Sequence, residues 1–231
     1  DPKLATPYLV MELLAGEDLA SLIHSAAPLP PTLAVRIASQ VLRGLEQAHT
    51  QQLIHRDIKP GNLFMAAGQG DTLVVKILDF GIVKRRGDDR NLKLTQTGTM
   101  VGSPMYMAPE QARGRIREID ARTDVYSLGV VLYEMLTGSH PLRGAESLGD
   151  LLFKLCAEDF PRVDLAAPWL DAPIADVVAR CVERMQDERY RDAAELRAVL
   201  DELVAPTPIR SAHLRTLNDQ DKIGPLTRAL T

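Results

Sequence analysis

His55-Arg56-Asp57-Ile58-Lys59-Pro60-Gly61-Asn62 places an imidazole, a guanidinium, a carboxylate, an ammonium and an amide within eight consecutive residues. Leu53-Ile54 stands before this segment and Leu63-Phe64 after it, so the pattern runs apolar, charged, apolar. With Pro60-Gly61 inside, that pattern predicts a structured loop between short extended pieces. A second short apolar run, Leu73 to Leu78, ends at Asp79-Phe80-Gly81, 22 residues after Asp57.

Working outward, Tyr8-Leu9-Val10-Met11 is rich in strand formers and predicts a strand, and Asp18 is placed to cap a helix running through Ile23. Pro28, Pro30 and Pro31 mark a loop. Leu33, Ile37, Val41, Leu45 and Ala48 then recur at helical spacing, with Pro31 in the first turn. On the other side, Lys84 to Thr99 is polar and basic with weak periodicity, as functional or mobile connections are. The C-terminal half reads as helical. Thr123 or Asp124 is expected to start a central helix carrying Val125, Leu128, Val131, Leu132 and Met135, with Gly138 as its stop. Pro173 opens another helix, and Asp192 with Glu195 forms the pattern of a capping box for a last one through Leu203. Periodicity fades after Pro206-Thr207-Pro208. The expected division is therefore one domain over residues 1–204, followed by a linker or tail over residues 205–231.

The chain has 231 residues, 45% hydrophobic and 25% charged, close to the globular average, which argues against disorder, collagen and coiled coil. Aromatic residues make up only 4%, so aliphatic side chains must fill the core. The net charge of -4 gives no reason to expect a nucleic-acid partner or binding to an anionic membrane surface. Cys156 and Cys181 stand alone, without zinc spacing, and fit a reducing cytoplasm. No apolar run approaches the ~18 residues of a membrane span. The first residue is Asp1, so a piece of a longer protein is expected.

The loop matches His-Arg-Asp-x-Lys-x-x-Asn and thereby resembles the catalytic loop of protein kinases, with Asp79-Phe80-Gly81 in place of their metal-binding motif. Five fixed residues match by chance at roughly one position in three million. Ala108-Pro109-Glu110 resembles the family's closing motif, and Asp124-Val125-Tyr126-Ser127-Leu128-Gly129 its buried central helix. The resemblance extends from residue 8 to about residue 204, and the details are those of bacterial members of the Hanks type. It implies an α+β, mainly α fold: a kinase-like C-terminal lobe, helical with short β-hairpins, and without the N-terminal β-lobe.

By the same resemblance, Asp57 accepts the proton of a substrate hydroxyl, and Lys59 places positive charge on the γ-phosphate of ATP. Asn62 and Asp79 hold Mg2+. A lysine at position 59 points to serine or threonine in protein substrates. Backbone groups of Glu12 and Leu14 would meet the adenine edge, Asp18 the ribose, and Phe64 the underside of the base. His55, Asp124 and the pair Glu110–Arg189 are expected to hold the fold. Glu188 stands where the family usually has proline. Arg56 marks kinases whose activation loop is ordered by phosphate, and Thr95 and Thr97 resemble the autophosphorylated pair of bacterial members. Ser103 takes the place of a threonine usual beside the catalytic aspartate.

A kinase also needs a Gly-rich loop, a strand lysine and a helix glutamate, and none can be placed in this sequence. These 231 residues are accordingly expected to be a hinge plus large lobe, inactive alone. The competing expectation is a pseudokinase or scaffold. Against it stands the retention of Asp57, Lys59, Asn62 and Asp79. A cytoplasmic kinase domain is expected, compatible with a dimer of the full-length protein and with a membrane anchor beyond Thr231.

Overall fold

The helix Ala121–Thr137 (α4) is buried on nearly every side, from Thr123 through Tyr133 and again at Met135 and Leu136. Its apolar residues cover the whole circumference, so it is stable only when enclosed by other elements. In this computed structural model, which describes residues 10–79 and 104–218, other helices enclose it. Helix Pro31–Thr50 (α2) packs against α4, as do Ala172–Cys181 (α7) and Ala193–Leu203 (α8), and α8 also lies along α2. Leu42, Leu45, Leu128, Leu132, Ile174 and Leu200 meet in the shared core, each contributing about 1.5–3 kcal/mol by burial.

α4 begins earlier than its apolar periodicity suggests. Asp120 is the cap, its Oδ1 accepting the Arg122 N–H at 2.9 Å, and Asp124 falls inside the first turns. The first residues of the helix, Ala121 and Arg122, add nothing to the apolar pattern, and the sequence signal for the start was therefore displaced. Gly138 ends the helix in the left-handed region at φ 70°. α2 follows its expected pattern, with Pro31 in the first turn. Its exposed positions include Arg43 and Gln47. Asp192 caps α8 through the Glu195 N–H, but the Glu195 carboxylate accepts from the Arg191 N–H, so the expected capping box is not reciprocal.

A small antiparallel sheet lies beside α2. Its order is β1 (Gly16–Asp18), β2 (Leu63–Ala67), β3 (Thr72–Ile77) and β4 (Ile209–Arg210). Gly16 is paired with Ala66 at φ 144°, and a Cβ there would stand 2.0 Å from the Met65 carbonyl oxygen, so only glycine fits. The strand expected at Tyr8–Met11 is not found at Val10 or Met11, which are irregular and exposed; Tyr8 and Leu9 lie outside the described residues. Among the described residues no strand pairs with Val10 or Met11. Asp18 caps helix α1 (Leu19–Ala26) as expected.

Residues 205–218 are not a free tail. Ile209 and Arg210 pair with Leu73 and Thr72, Ile209 is fully buried, and the Leu217 N–H reaches the Pro28 carbonyl at 2.9 Å. Two residues are too few to show alternation, which is why the segment read as linker. Helices α3 (Pro109–Ala112), α5 (Leu148–Ala157, capped by Ser147) and α6 (Val163–Ala166) complete the helical side. The architecture is mainly α with short strands, the α+β class expected.

Candidate active site

The loop between α2 and β2 closes on itself through one carboxylate. Asp57 Oδ2 accepts from the Lys59 ammonium at 2.8 Å and from the Asn62 amide at 3.1 Å, and the same amide donates to the Asp57 carbonyl at 2.8 Å. A single 3-10 turn over Pro60–Asn62 makes this compactness possible by folding Asn62 back under Asp57. Asn62 is buried, whereas Asp57 and Lys59 are partly open to solvent.

Four supports hold the loop. Asp124 on α4, fully buried, accepts the main-chain N–H groups of His55 and Arg56 at 2.9 and 2.8 Å, and its Oδ2 also meets His49 Nε2 at 2.9 Å. His55, equally buried, bonds through Nε2 to the Leu78 carbonyl, and its Nδ1 accepts the Asp57 N–H at 3.2 Å. Leu78 in turn donates its N–H to the Asn62 carbonyl at 2.8 Å. From α3, Gln111 donates to the Arg56 carbonyl at 2.9 Å. His49 and Gln111 carry no sequence signal of their own: His49 is one polar residue at the end of an amphipathic helix, and Gln111 follows the Ala-Pro-Glu motif without belonging to it.

Through Leu78, Asp79 is set next to the Asp57–Asn62 cluster. It is exposed, adopts φ 51°, and has no hydrogen-bond partner among the described residues. Arg56 is also left-handed, at φ 65°. Such backbone is costly for residues other than glycine and clusters at functional sites. Because the Asn62 amide nitrogen is spent on Asp57, its oxygen is left as an acceptor. Asp79 and Asn62 thus offer one carboxylate and one amide oxygen, a donor set that suits Mg2+ completing its shell with phosphate and water. Among the described residues no group of three His, Cys, Asp or Glu side chains is gathered for a metal.

The remaining expected residues are found as follows. Glu12 is exposed and paired with Lys76 at 3.0 Å; Leu14 is half-buried just ahead of β1. Asp18 spends Oδ1 on the Ser21 N–H at 2.8 Å. Phe64 is half-buried on β2 opposite Asp18, so β1 brings Asp18 and Phe64 together beyond Asn62. The Arg56 guanidinium has no partner among the described residues. Phe80, Thr95, Thr97, Thr99 and Ser103 lie outside them.

Glu110 and Arg189 form a buried bidentate pair at 3.0 and 3.1 Å, and Thr123 donates to the same Glu110 at 2.8 Å. Beside the loop, a cleft of about 390 Å³ is bordered by His24, Pro60, Tyr106 and Glu134. There the Tyr106 hydroxyl donates to Glu134 at 2.6 Å, and burial pushes both groups above their usual pKa ranges.

The protein kinase domain family model matches residues 4–199. Serine/threonine-protein kinase PknB of Mycobacterium tuberculosis is 38% identical over 194 residues, covering 84% of this chain and 30% of PknB. Pkn1 of Myxococcus xanthus is 37% identical over 199 residues, covering 86% of this chain and 28% of Pkn1. The chain therefore spans about a third or less of the length of these relatives. The crystal structure of the Mycobacterium tuberculosis PknI kinase domain (C20A mutant) shares the fold, with a TM-score of 0.61 at 23% identity, over 83% of this chain and 63% of that one. The matched stretch contains the Asp57 loop, Asp79 and the Glu110–Arg189 pair, and the chain belongs to the protein kinase domain family, among its bacterial serine/threonine members.

Proposed function

We propose that the protein to which these residues belong transfers the γ-phosphate of ATP to serine and threonine hydroxyls of other proteins. The observation that carries this reading is the convergence of Lys59 and Asn62 on Asp57. A substrate hydroxyl lying against Asp57 would donate its hydrogen bond there and finally surrender its proton to the carboxylate. Lys59 would turn its ammonium toward the γ-phosphate oxygens as negative charge accumulates on them. Asp79 and Asn62 would hold Mg2+, which neutralises phosphate charge when bound. Glu12 and Leu14 main-chain groups would take the adenine edge, with Asp18 near the ribose and Phe64 beneath the base. The cleft bordered by Tyr106 and Glu134 opens beside Pro60 and offers room for the polypeptide carrying the acceptor.

Control by phosphorylation belongs to the same reading. Arg56 would pair bidentately with phosphate on Thr95 or Thr97, ordering the loop that precedes Pro104. No Gly-x-Gly-x-x-Gly segment occurs in these 231 residues, and turnover by them alone should be negligible.

The test compares the complete kinase domain with its Asp57→Asn variant, using γ-labelled ATP and a serine- and threonine-containing protein substrate. Transfer should fall on the order of 10²–10⁴-fold with the fold intact. Undiminished transfer would overturn the assignment, and mass spectrometry of the active domain should find phosphate on Thr95 or Thr97.

A further inference from the structure

α2 packs against β3 where Gly44 meets the Ile77 side chain and Gln40 bonds the Val75 N–H. Beside that contact, alongside the Pro206–Pro208 stretch, runs a cleft of about 660 Å³, and none of its lining residues belongs to the Asp57 cluster. One kind of wall is apolar, from Leu73, Val74 and the two prolines; the other is cationic, from Arg36, Arg43 and Lys76.

Two features of this cleft call for a ligand. The first is charge. Arg36 Nε is buried without an acceptor, and burial holds its guanidinium below the usual arginine range. Neither Arg36 nor Arg43 has an acidic partner among the described residues, and burial together with the surrounding arginines Arg36, Arg210 and Arg215 disfavours the protonated form of nearby His213. Lys76 does have a partner, Glu12, but at an exposed site. A guanidinium nitrogen buried without an acceptor is costly until a carboxylate or phosphate meets it. The second feature is a strand edge that β4 covers only in part. β4 pairs only with Thr72 and Leu73, and the residues that would extend it along β3 include Pro206 and Pro208, which have no N–H to donate. The Val75 N–H on this side is taken by Gln40 at 2.9 Å, and among the described residues no strand covers the outer edge of β3 from Val74 to Ile77.

We propose that this cleft docks an extended acidic segment of a partner protein, its carboxylates on Arg36 and Arg43 and its main chain along the β3 edge. Spacing favours a peptide over a small anion. Arg36 and Arg43 are two helical turns apart, about 10 Å along α2, so the cationic wall is long enough to meet more than one anionic group. An extended chain rising about 3.3 Å per residue brings acids two to four positions apart opposite both. Strand addition supplies affinity through main-chain bonds, and the apolar walls accept the intervening side chains.

The experiment is a fluorescence-polarisation titration of the 231-residue chain with labelled Gly-Asp-Val-Glu-Ile-Glu-Thr-Asp-Gly, a control peptide with lysine at every acidic position, and inorganic phosphate as competitor. It reads no phosphotransfer, so its outcome is independent of the proposed catalysis. The acidic peptide should bind saturably, and at least tenfold more weakly to Arg36→Gln and to Arg43→Gln. Its affinity should also fall as sodium chloride rises. Arg43 is exposed, so its substitution leaves the fold alone and keeps the test decisive should Arg36→Gln unfold. Equal binding of acidic and lysine peptides, absence of saturable binding, Arg43→Gln within twofold of the unsubstituted chain, or phosphate binding as tightly as the peptide would each overturn the proposal.

Discussion

Asp124 Oδ1 accepts the main-chain N–H of Arg56 at 2.8 Å across 68 positions of sequence, tying the central helix to the backbone of the loop that carries Asp57. With Oδ2 taking the His55 N–H, one buried carboxylate satisfies two main-chain donors of the loop. Asp124→Ala strands both, at ~1–3 kcal/mol each, and should cost about 3–5 kcal/mol in urea unfolding. Asp124→Asn keeps one acceptor and should cost less. A loss below ~1 kcal/mol for the alanine variant would contradict the anchoring role.

The Glu110–Arg189 pair makes a different prediction, because its two members are worth more together than their net contribution to the fold. Arg189→Ala leaves a carboxylate at 3% exposure without its cation and should cost about 3–5 kcal/mol. Removing both charges with Glu110→Leu and Arg189→Met should recover much of that loss. A double-mutant cycle by denaturant unfolding checks it: additive costs would mean that the pair is not coupled.

Gly129 tests packing. It lies where α4 meets α7, and an added Cβ would stand 2.5 Å from Cys181 Cβ and 3.0 Å from Val182 Cγ1. Alanine is the better helix former by about 1 kcal/mol, yet overpacking costs ~1–3 kcal/mol or more, and here the clash is with an element anchored in the core. Gly129→Ala should therefore lower Tm by several degrees. An unchanged or raised Tm would show that α7 can move aside.

His140 predicts a pH dependence. Burial lowers its pKa from 6.5 to about 4, and its Nδ1 accepts the Leu142 N–H at 3.0 Å, which requires an unprotonated nitrogen there. Below pH 6.5 the unfolded chain takes up a proton that the folded chain refuses, so stability falls as pH drops from about 6.5 toward about 4. The full contribution, about 3 kcal/mol at ~1.4 per pH unit, is present above that window. His140→Gln should flatten this part of the urea-stability profile, and parallel profiles for the two proteins would refute the assignment.

Much of the site was legible because it is local: Asp57, Lys59 and Asn62 fall within six residues, and their chemistry needs that spacing. The helices α2, α4, α7 and α8 were readable from apolar recurrence and proline or glycine boundaries. What escaped depends on partners distant in sequence. His49 and Gln111 act only because α4 and α3 bring Asp124 and Arg56 to them. The start of α4 at Asp120 is set by a cap lying ahead of the apolar pattern, and α5 was passed over although Ser147 caps it. The strand expected at Tyr8–Met11 is not seen at Val10 and Met11, its described half, and the nearby pairing is made at Gly16–Asp18.

The two-residue strand Ile209–Arg210 has a practical consequence for anyone preparing the lobe. Ending an expression clone at Leu203 or Val204, where the last helix stops, would lay bare the flank of β3 at Thr72 and Leu73 and empty the socket filled by Ile209. An uncovered flank of that kind templates sheet-to-sheet clumping, so a shortened clone should yield insoluble material, while one carried through Asn218 should stay dispersed.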